Sequence, residues 1–191
     1  MRVGVLGLQG DFQEHLAIFR ALGVDAVDVR RPEQLADVDA FVIPGGESTT
    51  IGKLAERYGF IPALRERALA GMPIWGTCAG AIFIAKDVPG HPHPIAGLMD
   101  VSVERNAFGR QVDSFEKDLQ VRGLDGGSFH AIFIRAPRIA NLGQDVEAIA
   151  TLDDGTVVAA REGRLLATSF HPELTDDHRF HELFLRLGGP G

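Results

Sequence analysis

Cysteine occurs once in the 191 residues, at Cys78. That scarcity excludes an internal disulfide and any multi-cysteine zinc site, so packing or reactivity must account for the one thiol. Lysine is nearly as scarce: Lys53, Lys86 and Lys117 are the only three, and none sits in a recognisable cofactor motif. Positive charge is short overall, with a net charge of −7, which leaves no global field to draw a phosphate backbone and argues against a nucleic-acid partner. No apolar run approaches the roughly 20 residues needed to cross a bilayer, and Met1-Arg2-Val3-Gly4-Val5 lacks the build of a signal peptide. A cytoplasmic chain with no membrane partner is expected. Repeats, low-complexity tracts and linkers are also missing, and the length suits one domain spanning residues 1–191.

What is present alternates. Val3 to Leu8, Val24 to Val29, Phe41 to Ile43 and the segment from Pro73 read as buried strands. Between them, Phe12, Leu16, Phe19 and Leu22 repeat at helical spacing up to Gly23; a helix capped by Ser48 or Thr49 runs to Tyr58, and another covers Phe60 to Leu69. This is the pattern of a parallel sheet flanked by helices. The second half predicts strands at Val101 to Glu104, Gln111 to Phe115, Ala131 to Arg135, Ala148 to Leu152 and Thr156 to Arg161, added antiparallel to the same sheet. Asp153-Asp154-Gly155 is a hairpin turn, and Leu165 to Ser169 a last buried strand. Asp176 to Leu187 carries a helical stripe of Phe180, Leu183 and Phe184. His91-Pro92-His93-Pro94 reads as a loop, and Gly188 to Gly191 as a frayed end.

Trp75-Gly76-Thr77-Cys78-Ala79-Gly80-Ala81 sets the cysteine between two glycines, after a strand and before an apolar stretch. Such a nucleophile elbow turns sharply and presents its side chain at the sheet edge, where a helix start favours the thiolate and frees an N–H for an oxyanion. A tight turn around a buried thiol is the plain alternative. Downstream, Ser169-Phe170-His171-Pro172-Glu173 supplies a histidine and a carboxylate two residues on, on one face if the segment is extended. A thiolate needs a base that also protonates the leaving amine, and that base needs an orienting acceptor. His171 and Glu173 meet both needs.

These two motifs resemble those of the class I glutamine amidotransferases, whose triad is a G-x-C-x-G cysteine and a late H-P-E. Val5 to His15, Pro44-Gly45-Gly46-Glu47-Ser48-Thr49-Thr50, Val103 to Gln111 and Phe133-Ile134-Arg135-Ala136-Pro137 narrow the resemblance to the glutaminase subunit of pyridoxal 5'-phosphate synthase, over essentially the whole chain. The resemblance implies a three-layer α/β sandwich, flavodoxin-like, with a mixed central sheet. It implies L-glutamine as substrate, with Cys78 as nucleophile, His171 as proton carrier and Glu173 as its orienter. It also implies an oxyanion hole from the N–H groups of Gly46 and Ala79, and glutamine-binding positions at Gly46, Glu47, Ser48, Arg105, Ile134 and Arg135. No cofactor is implied on this chain. The partner is a β/α-barrel synthase subunit in a hetero-oligomer, which receives the ammonia.

Two other signals are weaker. Gly4, Gly7 and Gly10 are spaced G-x-x-G-x-x-G and miss the dinucleotide fingerprint, and His178 and His181 lack a zinc-protease pattern and read as a solvated helix surface. The alternatives are a glutaminase serving another synthase, such as one making imidazole glycerol phosphate or GMP, and a noncatalytic or redox-sensing protein of the same fold. The Glu47-Ser48-Thr49 and Gln9-Gly10-Asp11 segments argue against the first, and His171 with Glu173 against the second.

Overall fold

The computed structural model of the chain describes residues 1–105 and 114–189. Its first half alternates β1 (Arg2–Leu6), α1 (Phe12–Ala21), β2 (Asp25–Val29), a 3-10 turn (Pro32–Asp37), β3 (Ala40–Ile43), α2 (Ser48–Arg57), α3 (Phe60–Leu69), β4 (Ile74–Thr77) and α4 (Ala79–Ile84). The second half is strand-rich: β5 (Ala85–Asp87), β6 (Met99–Glu104), β7 (Ser114–Leu119), β8 (Phe129–Ile134), β9 (Arg138–Ala140), β10 (Val146–Thr151), β11 (Val157–Glu162) and β12 (Leu165–Thr168). A 3-10 turn (Pro172–Leu174) and α5 (Arg179–Leu187) close the described chain.

Ten strands form one mixed sheet in the order β2-β1-β3-β4-β12-β11-β9-β6-β5, with β10 on β11. The pairs from β2 through β12 are parallel, and β12-β11, β11-β9, β9-β6 and β10-β11 are antiparallel. Alternation along the strands sends residues to opposite faces. Phe41, Ile43, Ile74 and Ala167 pack under α2, α3 and α4 through Ile51, Ala55, Phe60, Leu64 and Ile82. Ala40, Val42, Trp75 and Leu166 pack under α1 and α5 through Leu16, Phe19, Phe180, Leu183 and Phe184. The result is the expected three-layer sandwich.

Several local expectations need correction. β7 and β8 do not join the main sheet; they pair with each other as a separate antiparallel ribbon, whose Phe129, Ala131 and Phe133 cover the α1/α5 face. The strand expected from Gln111 begins at Ser114 among the described residues. Gln111, like Asn106 to Arg110 of the motif around Arg105, lies outside them, as do Pro190 and Gly191. The cap of α2 is Glu47, one residue before Ser48: its carboxylate accepts from the N–H groups of Thr49 (3.0 Å) and Thr50 (2.7 Å). His181 is fully buried, not solvated; α5 turns it inward onto Trp75, with ring centroids 5.0 Å apart.

Candidate functional site

Four neighbouring parallel strands, β1, β3, β4 and β12, end at one edge of the sheet, and their following loops converge there. A crevice at the carboxyl ends of parallel strands is the usual binding place in such sheets. Here it is a cleft of about 360 Å³ lined by Gln9 and Asp11 after β1, Gly46 and Glu47 after β3, Cys78 after β4 and His171 after β12. Arg105, Ile134 and Arg135 close its other side. Every residue expected of the site lines this cleft except Glu173, which stands behind His171.

The elbow differs in detail from the sequence expectation. The strained residue is Cys78 itself, at φ 48° and ψ −103°, while Gly76 and Gly80 keep ordinary φ values. The two glycines supply room instead. A side chain on Gly76 would run into the carbonyl of Gly80, and one on Gly80 into the carbonyl of Ile43. A non-glycine residue at such a φ costs on the order of 1–3 kcal/mol and persists only where its surroundings hold it. The holders are the 2.7 Å hydrogen bond from Cys78 N–H to the Thr168 carbonyl, which ties the elbow to β12, and the Ala81 and Ile82 N–H groups, which donate to the Cys78 carbonyl and start α4.

The Cys78 thiol is 7% exposed and faces the cleft, with its Sγ 3.8 Å from the Ile134 carbonyl. His171 is fixed by its N–H to the Ile132 carbonyl, 2.9 Å, and its Nδ1 lies 2.7 Å from Glu173 Oε1. The pair does not share an extended face; Pro172 starts a 3-10 turn that folds Glu173 back under the ring. Burial works against charge on this imidazole, but hydrogen bonds to the Cys78 sulfur and to Glu173 outweigh it and raise His171 from 6.5 to about 10. The ring therefore holds two protons at neutral pH. Burial pushes the Glu173 carboxyl up, partly offset by the hydrogen bond from His171. A buried sulfur, a protonated imidazole and a carboxylate in line can attack a carbonyl carbon and protonate its leaving group.

Around this line the cleft is lined largely by polar side chains. Glu47, beside its capping role, lies 3.8 Å from Arg105 Nη2, and Arg105 Nη1 is 3.1 Å from His91 Nδ1. Partial burial works against charge on the Glu47 carboxyl, but the backbone and side-chain donors of Thr49 and Thr50 prevail and hold it at about 2. Arg135, at φ 44°, is a second non-glycine residue in the left-handed region. Gln9 and Asp11 are not among the site residues expected from the sequence. Their signal is the Gln9-Gly10-Asp11 segment itself, for Gln9 Oε1 accepts from Glu47 N–H (3.0 Å), Asp11 N–H donates to the Gly45 carbonyl (3.2 Å), and Asp11 Oδ2 lies 3.6 Å from His171 Nδ1. Asp11, His171 and Glu173 place ligand-type atoms within 4.8 Å of one another. A cation there would have to displace the proton shared by His171 and Glu173.

Comparison with known proteins gives the family and the fold. A family model described as the SNO glutamine amidotransferase family matches residues 5–188. A protein of Herpetosiphon aurantiacus named pyridoxal 5'-phosphate synthase subunit PdxT is 58% identical over 98% of this chain and 100% of its own length. A solved glutamine amidotransferase superposes with a TM-score of 0.93 at 53% identity, covering 98% of this chain and 99% of the other. A putative GMP synthase component from Thermoplasma acidophilum shares the fold, with a TM-score of 0.72 at 19% identity over 98% of this chain and 94% of the other.

Proposed function

The chain belongs to the SNO glutamine amidotransferase family, and from that premise we propose that it is the glutaminase subunit of a pyridoxal 5'-phosphate synthase, releasing ammonia from L-glutamine for a synthase subunit. One observation carries the reading: a lone thiol on a strained elbow faces an imidazole raised to about 10, itself backed by a buried carboxylate.

The chemistry follows from those positions. Cys78 Sγ attacks the carboxamide carbon of glutamine; the C–S bond forms as the carbonyl electron pair moves onto oxygen. That oxygen is met by the N–H groups of Gly46 and Ala79, and a donor of this kind is worth roughly 3 kcal/mol in such sites. As the carbonyl reforms, the C–N bond breaks and the nitrogen takes a proton from His171 to leave as ammonia. Water then gives a proton to His171 while its oxygen attacks the thioester, and the C–S bond breaks to free glutamate. Glu173 holds the imidazole throughout. Arg105 and Arg135 meet the substrate carboxylate, and Glu47 with Ser48, Gly46 and Ile134 fix its amino end and chain, since a free amino acid offers both charges.

The partner is a β/α-barrel synthase subunit, in a hetero-oligomer of the cytoplasm. No helix among the described residues is long and apolar enough to cross a membrane. The test is capture of the partner on the purified chain, its identification by mass, and glutamate release measured with and without it. A barrel synthase that raises the release is the expected outcome. Capture of a different synthase, or no glutaminase activity with the barrel partner, overturns the proposal.

A further inference from the structure

Behind Glu173 lies a polar chain the mechanism above does not use. His15 of α1 and His181 of α5 are both fully buried, and His15 Nδ1 is 3.0 Å from His181 Nε2. His15 Nε2 in turn lies 3.4 Å from Glu173 Oε2 and 3.4 Å from Thr77 Oγ1. Glu173 Oε2 and His181 Nδ1 are buried and have no hydrogen-bond partner among the described residues. Both rings touch Trp75 edge-on, with centroids at 5.5 and 5.0 Å.

The placement of protons can be worked out. Burial lowers both histidines, His15 well below 6.5 and His181 to about 3, so each is neutral and carries one N–H. One of the two must donate across the 3.0 Å contact. If His15 donated from Nδ1, His181 would keep its proton on Nδ1, a buried N–H with no acceptor among the described residues, and the His15 Nε2 lone pair would face Oε2 with only the Thr77 hydroxyl to donate to it. Both are costly. If His181 donates from Nε2, its Nδ1 is merely an unused acceptor, and His15 carries its proton on Nε2, facing Oε2.

We propose that His15 is a positioning residue for the triad: its Nε2–H, set by the donation from His181 to Nδ1, is shared between Thr77 Oγ1 and Glu173 Oε2 and keeps Oε1 aimed at His171. At 3.4 Å the contact with Oε2 is longer than a full hydrogen bond, and Thr77 Oγ1 stands at the same distance from the same nitrogen. The groups facing Glu173 are His171 from its own turn, Asp11 after β1, Cys78 through His171, and His15 from α1, with His181 and then His178 of α5 behind. Among them His15 is the neutral ring that stands 3.4 Å from Oε2. It offsets the burial that favours the protonated carboxyl.

The inference rests on the glutaminase reading, and two measurements separate their failures. In the synthase-activated enzyme, His15→Phe should lower kcat about tenfold and leave KM within about twofold, because His15 does not line the cleft. The acid limb of kcat/KM should move up by about one pH unit, the scale of a hydrogen bond to a charged group. His15→Gln, whose amide N–H reaches the same point, should restore both. Equal losses in the two variants, with matching thermal midpoints, would reduce His15 to packing and overturn the proposal. Independently of activity, long-range nitrogen–proton NMR correlations on the isolated chain should find His15 protonated on Nε2 and His181 on Nε2. An Nδ1–H His15 overturns the proposal even in an active enzyme. An inert wild-type enzyme would count against the glutaminase reading alone.

Discussion

Each member of the proposed triad does a different job, and the three substitutions separate them. Cys78→Ala removes the only sulfur nucleophile in the chain, so glutamate release by the partner-activated enzyme should fall by at least about a thousandfold. The fold should persist, because alanine relieves none of the packing and little of the backbone geometry. A glutamine-like electrophile should label the wild type once and this variant not at all. Glu173→Gln leaves a base in place and disturbs only its aim, so it should retain more activity than His171→Ala when all are assayed in one complex. The reverse order would mean that Glu173 does more than orient.

At the scale of elements, the sequence discloses most where local chemistry decides structure. The β-branched runs mark β2 and β3 to within about a residue and the start of β4, while β1 ends at Leu6, short of the expected Leu8; the elbow and the late histidine are readable from spacing. Strands of three residues, β5 and β9, carry too little pattern to be seen. The β7-β8 ribbon alternates like any half-buried strand pair, and only tertiary packing decides that it covers the α1/α5 face instead of extending the sheet. His181 escapes the sequence for a related reason. Its neighbours Arg179 and Glu182 are charged, and its burial is set by how α5 docks on Trp75.

The cap of α2 yields its own prediction. Glu47 is lowered from 4.5 to about 2, burial opposing and the Thr49 and Thr50 donors prevailing. Its folded value lies below its unfolded one, so the stability it contributes is complete above about 4.5 and is lost as pH falls through about 2. Glu47→Ala should cost about 1 kcal/mol at neutral pH, the usual worth of a helix cap. In thermal melts the gap between variant and wild type should narrow steadily below about pH 4.5. A gap that stays constant down to about pH 2.5 would show that the carboxylate charge is not what caps the helix. KM for glutamine should also rise in the same variant, since Glu47 lines the cleft.

For the molecule as a whole, buried neutral histidines set the acid side of stability. His181, depressed to about 3, and His15, also held well below 6.5 by burial, take up protons in the unfolded chain near 6.5 but resist them when folded. The unfolded state binds more protons below that pH, so stability should drop from about pH 6.5 toward 3, by on the order of 4 kcal/mol from His181 alone. His181→Phe should flatten this slope in melts between about pH 6.5 and 4. An unchanged slope would mean that other groups carry the acid sensitivity.

The partner is expected to act on the loop after β3. There the Asp11 N–H holds the Gly45 carbonyl, and freeing that peptide to turn its Gly46 N–H costs about one ordinary hydrogen bond, about 1 kcal/mol. A synthase that prefers the turned form by a few kcal/mol would shift the population almost wholly to it. Glutamate release should therefore rise on complex formation. Amide-labelled glutamine in the presence of unlabelled ammonium should give labelled product; product that follows the bulk ammonium pool would rule out internal transfer.

Directly behind the cleft lining, at Gly10 between Gln9 and Asp11 and at Gly80 after Ala79, backbone is laid on backbone as a floor. A methyl at Gly10 would enter the Gly45 carbonyl, and one at Gly80 the Ile43 carbonyl, whereas Gly23, Gly59 and Gly71, far from the cleft, have open space around them. The consequence is one of ancestry and drift. Single replacements at the floor are disfavoured, because the facing backbone, the loop at Gly45 or the end of β3 at Ile43, would have to move with them, while the walls at Arg105, Arg135 and Glu47 can change one side chain at a time. A descendant of this protein that accepts a different amide would arrive by altered walls over an unaltered floor.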